Sequence, residues 1–268
     1  METVELSGTA LSAAREALRT GAPLVHCLTN TVVQTITANA LLAVGAAPAM
    51  VDAPEEAGDF ASIASAVLVN VGTVHARTAE AMRLAARSAG DAGRPWVLDP
   101  VAVGGLAYRT ELARDLVELR PTVVRGNASE VLALAGAGAG GRGVDSTAGA
   151  EEAAEAAADL ALRTGGVVAV SGPVDVVTDG RSTVRVGGGS ELLTRTTGAG
   201  CALGAVVAAY LAVTGDPMTG AVAAHAHVAL AAEVAADLAD GPGTFAFQWL
   251  DALDALDGDA LARADLRA

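Results

Sequence analysis

The chain has 268 residues, 52% of them apolar but only 3% aromatic, so its core is built from Ala, Val and Leu, and disorder is excluded as the dominant state. Its 17 basic and 31 acidic side chains leave a formal charge of −14, the opposite of what nucleic acid or an anionic membrane surface demands; neither is expected as a partner, and a small molecule is. Every basic residue is arginine, and the absence of lysine rules out a Walker A phosphate loop, a protein-kinase strand lysine, a Schiff-base aldolase and a pyridoxal-phosphate enzyme.

Residues 1–21 carry an amphipathic helical pattern with Glu and Arg rather than a signal peptide. Short apolar runs then alternate with Ala-rich helical patterns. Strands are predicted near 23–28, 46–51, 66–71, 95–98, 122–124 and 167–170, and helices over 32–44, 75–89, 109–119 and 148–163. That alternation predicts an α/β fold with a mainly parallel central sheet and helices on both faces. After residue 170 the runs 174–178 and 183–186 flank Asp179-Gly180, a hairpin signal that predicts an antiparallel edge. Helices over 199–213, 217–240 and 247–256 close the chain, and no linker divides it, so one domain over 1–268 is expected. No apolar run reaches the roughly 18 residues that span a bilayer. A cytoplasmic protein is expected, in which Cys27 and Cys201 need not pair.

In parallel sheets, ligands bind outside the carboxyl ends of the strands. The residues delivered there are Thr29-Asn30, Met50, Asn70 to Gly72, Asp99-Pro100, Arg125-Gly126-Asn127 with Glu130, and Ser171-Gly172. The strongest motif is Thr196-Thr197-Gly198-Ala199-Gly200-Cys201, directly before an apolar helical run. Glycines at a helix N-terminus let backbone amides turn toward an anion such as phosphate. Cys201, in the first turn, would feel the same dipole, which lowers a thiol pKa and makes it a candidate base for a substrate hydroxyl; a Gly/Ala bend that merely permits close packing reads equally well. Asp99 and Glu130 are candidates to hold Mg²⁺ through its waters, with Arg125 neutralising a transferring phosphoryl group. The bland readings are an N-cap for Asp99 and a surface ion pair between Arg125 and Glu130.

Gly136, Gly138 and Gly141 satisfy G-x-G-x-x-G, yet residues 136–143 open onto no strand–helix crossover and read as a chance match in a flexible surface loop. His225 and His227, two apart in a helix, point to different faces and make no metal pair. Cys27, inside an apolar strand, reads as packing.

Taken in order, Leu24-Val25-His26-Cys27-Leu28-Thr29-Asn30, Thr37-Ala38-Asn39, Gly45-Ala46-Ala47-Pro48-Ala49-Met50, Leu98-Asp99-Pro100-Val101, Arg125-Gly126-Asn127-Ala128-Ser129-Glu130 and Thr197-Gly198-Ala199-Gly200-Cys201 closely resemble the hydroxyethylthiazole kinase family. The resemblance implies a ribokinase-like fold and ATP-dependent phosphorylation of the primary alcohol of 4-methyl-5-(2-hydroxyethyl)thiazole in thiamine biosynthesis and salvage. It places Asn30, Met50 and Gly198 at the thiazole, and Arg125, Ser171 and Asn127 at ATP. Asp99 and Glu130 fall at Mg²⁺ and phosphate, and Gly198, Ala199, Gly200 and Cys201 at the transferring group. It also implies a homotrimer with active sites between subunits. Most ribokinase-like enzymes carry an Asp base after the glycines where this family has Cys, and Cys27 stands where relatives often have a small polar residue. The alternatives are another ribokinase-like kinase such as one for hydroxymethylpyrimidine, an ATP- or ADP-dependent NAD(P)H-hydrate dehydratase, and a non-catalytic binding protein. The expectation for Cys201→Ala is a loss of about 10²–10⁴ in turnover, the usual worth of a general base.

Overall fold

The computed structural model describes residues 6–136 and 149–267. In chain order it contains α1 (Gly8–Gly21), β1 (Leu24–Leu28), α2 (Gln34–Val44), β2 (Ala47–Ala49), α3 (Pro54–Ile63), β3 (Ala66–Asn70), α4 (Ala76–Asp91), β4 (Trp96–Asp99), α5 (Ala107–Val117), β5 (Val123–Asn127) and α6 (Ala128–Ala135). There follow α7 (Ala154–Thr164), β6 (Val167–Ser171), β7 (Asp175–Thr178), β8 (Thr183–Val186), α8 (Ala199–Thr214), α9 (Pro217–Leu238), α10 (Pro242–Ala255), α11 (Gly258–Leu261) and β9 (Leu266–Arg267). The strands form one sheet in the order β2-β1-β3-β4-β5-β6-β7-β8-β9. The pairings from β2 to β6 are parallel, and those of β6 with β7, β7 with β8 and β8 with β9 are antiparallel.

Successive strand residues point to opposite faces of a sheet, and this alternation sorts the core into two layers. Val25, Cys27, Leu68, Val97, Val123 and Ala169 pack with α1, α2, α8, α9 and α10. Leu28, Val69, Leu98, Val124 and Val170 pack with α3 to α7. Strands covered on both faces carry no polar alternation, which is why β1 and β3 to β6 read as nearly continuous apolar runs until their carboxyl ends, with His26 the exception inside β1. Cys27 is a packing residue, buried so fully that its thiol is pushed up to about 12.

Several boundaries differ from the sequence reading. Residues 31–33 form a turn before α2, because Asn30 Oδ1 accepts the amide of Val32 and the Asn30 carbonyl that of Val33. The β7–β8 connection is a four-residue turn: Asp179 Oδ1 accepts the amides of Arg181 and Ser182, with Gly180 left-handed at φ +83°. Helix α3 was not predicted, although Pro54 at its start followed by Glu55 and Glu56 is a helix N-terminus signal. The loop assigned to residues 136–143, with its glycine match, lies outside the described residues after Gly136.

Helix α9 starts sharply, at Pro217 behind Asp216, whose Oδ2 accepts the Thr219 amide at 2.8 Å. By length and composition it is apolar enough to cross a bilayer, although Thr219, His225, His227 and Glu233 interrupt its apolar run; 67% of its most apolar stretch is buried within the fold. Its two histidines take different partners. His225 Nδ1 meets Asp175 Oδ2 at 2.6 Å, while His227 lies between the Tyr210 hydroxyl and the Leu253 carbonyl, 3.0 Å from each.

Candidate active site

Period two puts Asn70 with Leu68, Asp99 with Val97, Arg125 with Val123, and Ser171 with Ala169, all on the face that α8 covers. Register then aligns their ends: Asn70 pairs with Asp99, Arg125 with Ala169 and Asn127 with Ser171. Four polar side chains from four strands thus reach one edge beneath the start of α8.

That start is bare of side-chain caps. Gly198 is left-handed at φ +91°, and a Cβ there would lie 2.6 Å from Ile36 Cγ2 and 2.9 Å from Val33 Cγ1, so only glycine lets the turn lie against α2. Close packing and an amide cradle are therefore both present here. The Ala199 amide donates to the Thr196 carbonyl, whereas no described side chain accepts from the amides of Gly200 or Cys201. One turn on, Gly204 brings α8 down on the sheet; a Cβ there would meet Leu68 Cδ1 at 3.2 Å and Asp99 Oδ2 at 3.4 Å.

Below the helix start, Asn30 Nδ2 donates to Asn70 Oδ1 at 3.0 Å and to Cys201 Sγ at 3.4 Å. Asn70 Nδ2 donates to Asp99 Oδ2 at 2.7 Å, and its Oδ1 also accepts the Gly72 amide. Asn70 is the central residue of this network, and the sequence reading, which noted it at a strand end, gave it no role. Its place at the end of the apolar run 66–69 was the available signal, while its direct pairing with Asp99 is a matter of register that the sequence does not show. Asp99 is fully buried, its Oδ1 has no partner among the described residues, and burial, opposed by Arg125 and reinforced by Glu130, raises it to about 7. It caps no helix. An isolated buried carboxylate oxygen of this kind is what a divalent cation satisfies.

Arg125 bridges the other half of the edge. Its NH1 donates to the Gly200 carbonyl at 3.0 Å and its NH2 to Ser171 Oγ at 2.5 Å. Glu130 is not its surface ion-pair partner. The Glu130 carboxylate, 5% exposed, accepts the Asn127 amide on Oε2 and the Ala102 amide on Oε1, while Asn127 Oδ1 caps α6 by accepting the Glu130 amide. Asn127 and Glu130 therefore form a capping box that fixes the turn between β5 and α6. Burial raises the Glu130 pKa as well. Met50 follows β2 and packs, partly buried, against the α8 layer.

The expected activation of Cys201 is not found. Burial first, and then the neighbouring Asp99 charge, push its thiol up to about 12, so the helix dipole is overridden and the group is a neutral thiol at pH 7. The hollow at this edge, beside Thr29, Asn30, Asn70 and His75, is small, about 30 Å³. A cleft of about 440 Å³ lies at the opposite, amino edge, between Arg94, Trp96, Arg120 and Pro217. It holds none of this polar constellation.

The model of the hydroxyethylthiazole kinase family matches residues 16–259. The chain belongs to the hydroxyethylthiazole kinase family. It is 69% identical over 257 residues to hydroxyethylthiazole kinase of Kineococcus radiotolerans, covering 96% of this chain and 93% of that one, and 57% identical over 248 residues to that of Clavibacter sepedonicus, covering 92% and 90%. The solved hydroxyethylthiazole kinase structure from Pyrococcus horikoshii superposes with a TM-score of 0.89 at 37% identity, covering 96% of this chain and 98% of that one. A pyridoxal kinase from Staphylococcus aureus, at 20% identity and a TM-score of 0.57 over 79% of this chain and 88% of that one, shares the fold alone. The family's ribokinase-like architecture is thus the one adopted here.

Proposed function

We propose that this hydroxyethylthiazole kinase family member transfers the γ-phosphoryl group of ATP to the primary alcohol of 4-methyl-5-(2-hydroxyethyl)thiazole. The observation that carries the reading is the convergence on one edge of the amides of Gly200 and Cys201, the guanidinium of Arg125 and the unpartnered oxygen of Asp99. The amides and Arg125 hold the transferring group and spread its charge, as phosphoryl transfer requires. Ser171 fixes the guanidinium. Asp99 fits a divalent cation, with Glu130 acting on it through water; Mg²⁺ there would neutralise phosphate charge. Asn30 and Met50 line the alcohol side, and Cys201 sits between that side and the amides.

The thiol's high pKa assigns it a positioning role and not that of a strong base. A loose transition state needs little help in removing the alcohol proton, so positioning and charge account for the rate. Exposed apolar side chains at Val32, 67% accessible and two residues past Asn30, and at Phe247, 73% accessible, are available to a neighbouring subunit, which in the trimer that the resemblance implies would complete the pocket.

ADP formation measured with each alcohol in turn tests the reading. Turnover is expected with the thiazole alcohol and not with hydroxymethylpyrimidine or hydrated NADH, and Asp99→Asn should abolish it without loss of fold. ADP released only with another alcohol, or a fully active Asp99→Asn enzyme, would overturn it.

A further inference from the structure

Beyond Ser171 lies a buried pair that the reaction as described does not use. His225 on α9 is fully buried, and its Nδ1 is 2.6 Å from Asp175 Oδ2. Asp175 opens β7 and shares a strand face with Val177, which packs in the same layer as α9. Its second oxygen, Oδ1, accepts the amide of Gly172 at 2.8 Å. That carboxylate, 16% exposed, therefore ties α9 to the turn joining β6 to β7. The turn is tightly seated, since a Cβ on Gly172 would lie 2.8 Å from the Ala150 Cβ. The residue before Gly172 is Ser171, whose hydroxyl accepts from Arg125, and Arg125 donates onward to the Gly200 carbonyl.

We propose that His225 is a positioning residue of the nucleotide site, holding Asp175 so that the 171–175 turn presents Ser171 to Arg125. Among the described residues the ring makes one polar contact. Nδ1 donates to the Asp175 carboxylate, and Nε2 is left buried without a partner among the described residues. A side chain kept only for packing would leave no such nitrogen in an apolar layer, because burying a polar atom unpaired is costly. The ring is there for Asp175, and Asp175 for the turn.

This inference rests on the reading that Arg125 and Ser171 meet ATP. It is tested with His225→Leu, which fills the space without a donor, and His225→Asn, whose amide donates from near the place of Nδ1. In the leucine variant the KM for ATP and the calorimetric Kd for ADP should both rise about tenfold, the affinity equivalent of one hydrogen bond, while kcat and the alcohol KM stay within about twofold. The asparagine variant should recover to within about threefold of the parent. Asp175→Ala should reproduce the rise by itself, which keeps the test available if the leucine variant does not fold, and combining it with His225→Leu should add nothing. Unchanged ATP and ADP affinity in the leucine and alanine variants, or additive effects on combination, would overturn the proposal. Ser171→Ala and Arg125→Met report on the underlying reading: if they leave the ATP KM unchanged, the nucleotide assignment fails. If they raise it while the His225 and Asp175 variants do not, only the positioning role fails.

Discussion

At Cys201 two effects act on one thiol in opposite directions. A helix dipole favours an anion at its N-terminus by about 1 kcal/mol, whereas raising the thiol from 9.0 to about 12 corresponds to roughly 4 kcal/mol. Burial and the Asp99 charge therefore win, and two outcomes follow. Alkylation of Cys201 by iodoacetamide, with the fully buried Cys27 shielded, should accelerate about tenfold per pH unit from pH 8 to pH 10, because only the thiolate reacts; a plateau near pH 9 would show an ordinary thiol. Cys201→Ala should keep more than about a tenth of turnover, well above the loss of about 10² that removal of a working base brings. Cys201→Asp places a carboxylate beside Asp99, whose like charge raises its pKa, so its turnover should climb between pH 6 and pH 8 as the new group deprotonates. Much of this site is legible in the sequence, since Asp99, Arg125 and Ser171 each end an apolar run and Gly198 to Cys201 precede a helix. What is not legible depends on register and depth. Asn70 becomes an orienting residue only because it pairs beside Asp99, and Cys201 stays a thiol only because α8 lies so close to the sheet.

Between elements, the parallel part of the sheet and its antiparallel edge follow from local patterns, as continuous apolar runs and the β7–β8 turn at Asp179 show. Pieces whose order comes from contact with distant segments do not, such as β9, which pairs Leu266 with Val186. The joint between α8, α9 and α10 belongs to this second kind. His227 Nε2 donates to the Leu253 carbonyl, and in the neutral ring that leaves Nδ1 to accept from the Tyr210 hydroxyl. Burial, and after it the nearby Arg15 charge, lower its pKa from 6.5 to about 3. A depressed folded-state pKa contributes stability that is present above pH 6.5 and is lost as the pH falls toward 3, because the unfolded chain takes up the proton first. His227→Gln cannot take up that proton. The stability of the parent relative to His227→Gln, from urea unfolding, should therefore fall by about 3 kcal/mol between pH 7 and pH 4; a difference independent of pH would show that the ring titrates normally in the folded protein.

Across the whole molecule, the sheet's two edges differ in kind. The amino edge has the larger of the two hollows and the carboxyl edge the converging polar groups, and the proposed site follows strand direction and not cavity size. A hollow of about 30 Å³ beside Asn30 is too small to enclose a thiazole, and Val32, two residues past Asn30 in the chain, is an apolar side chain left 67% exposed. Leu42, Leu238 and Phe247 are exposed on α2, α9 and α10, in the same helical layer. A second subunit laid against Val32 would enclose the alcohol and bury that side chain together, and threefold repetition of such a head-to-tail contact closes a ring. The proposed trimer predicts that the parent sediments as three chains. Val32→Glu puts a charge into the proposed contact, and should both shift the sedimentation equilibrium toward single chains and raise the alcohol KM at least about tenfold, while the affinity for ADP stays as it was. A parent that sediments as a fully active single chain would place the whole pocket within one subunit. A Val32→Glu enzyme that keeps three chains and its alcohol KM would put the shared boundary elsewhere.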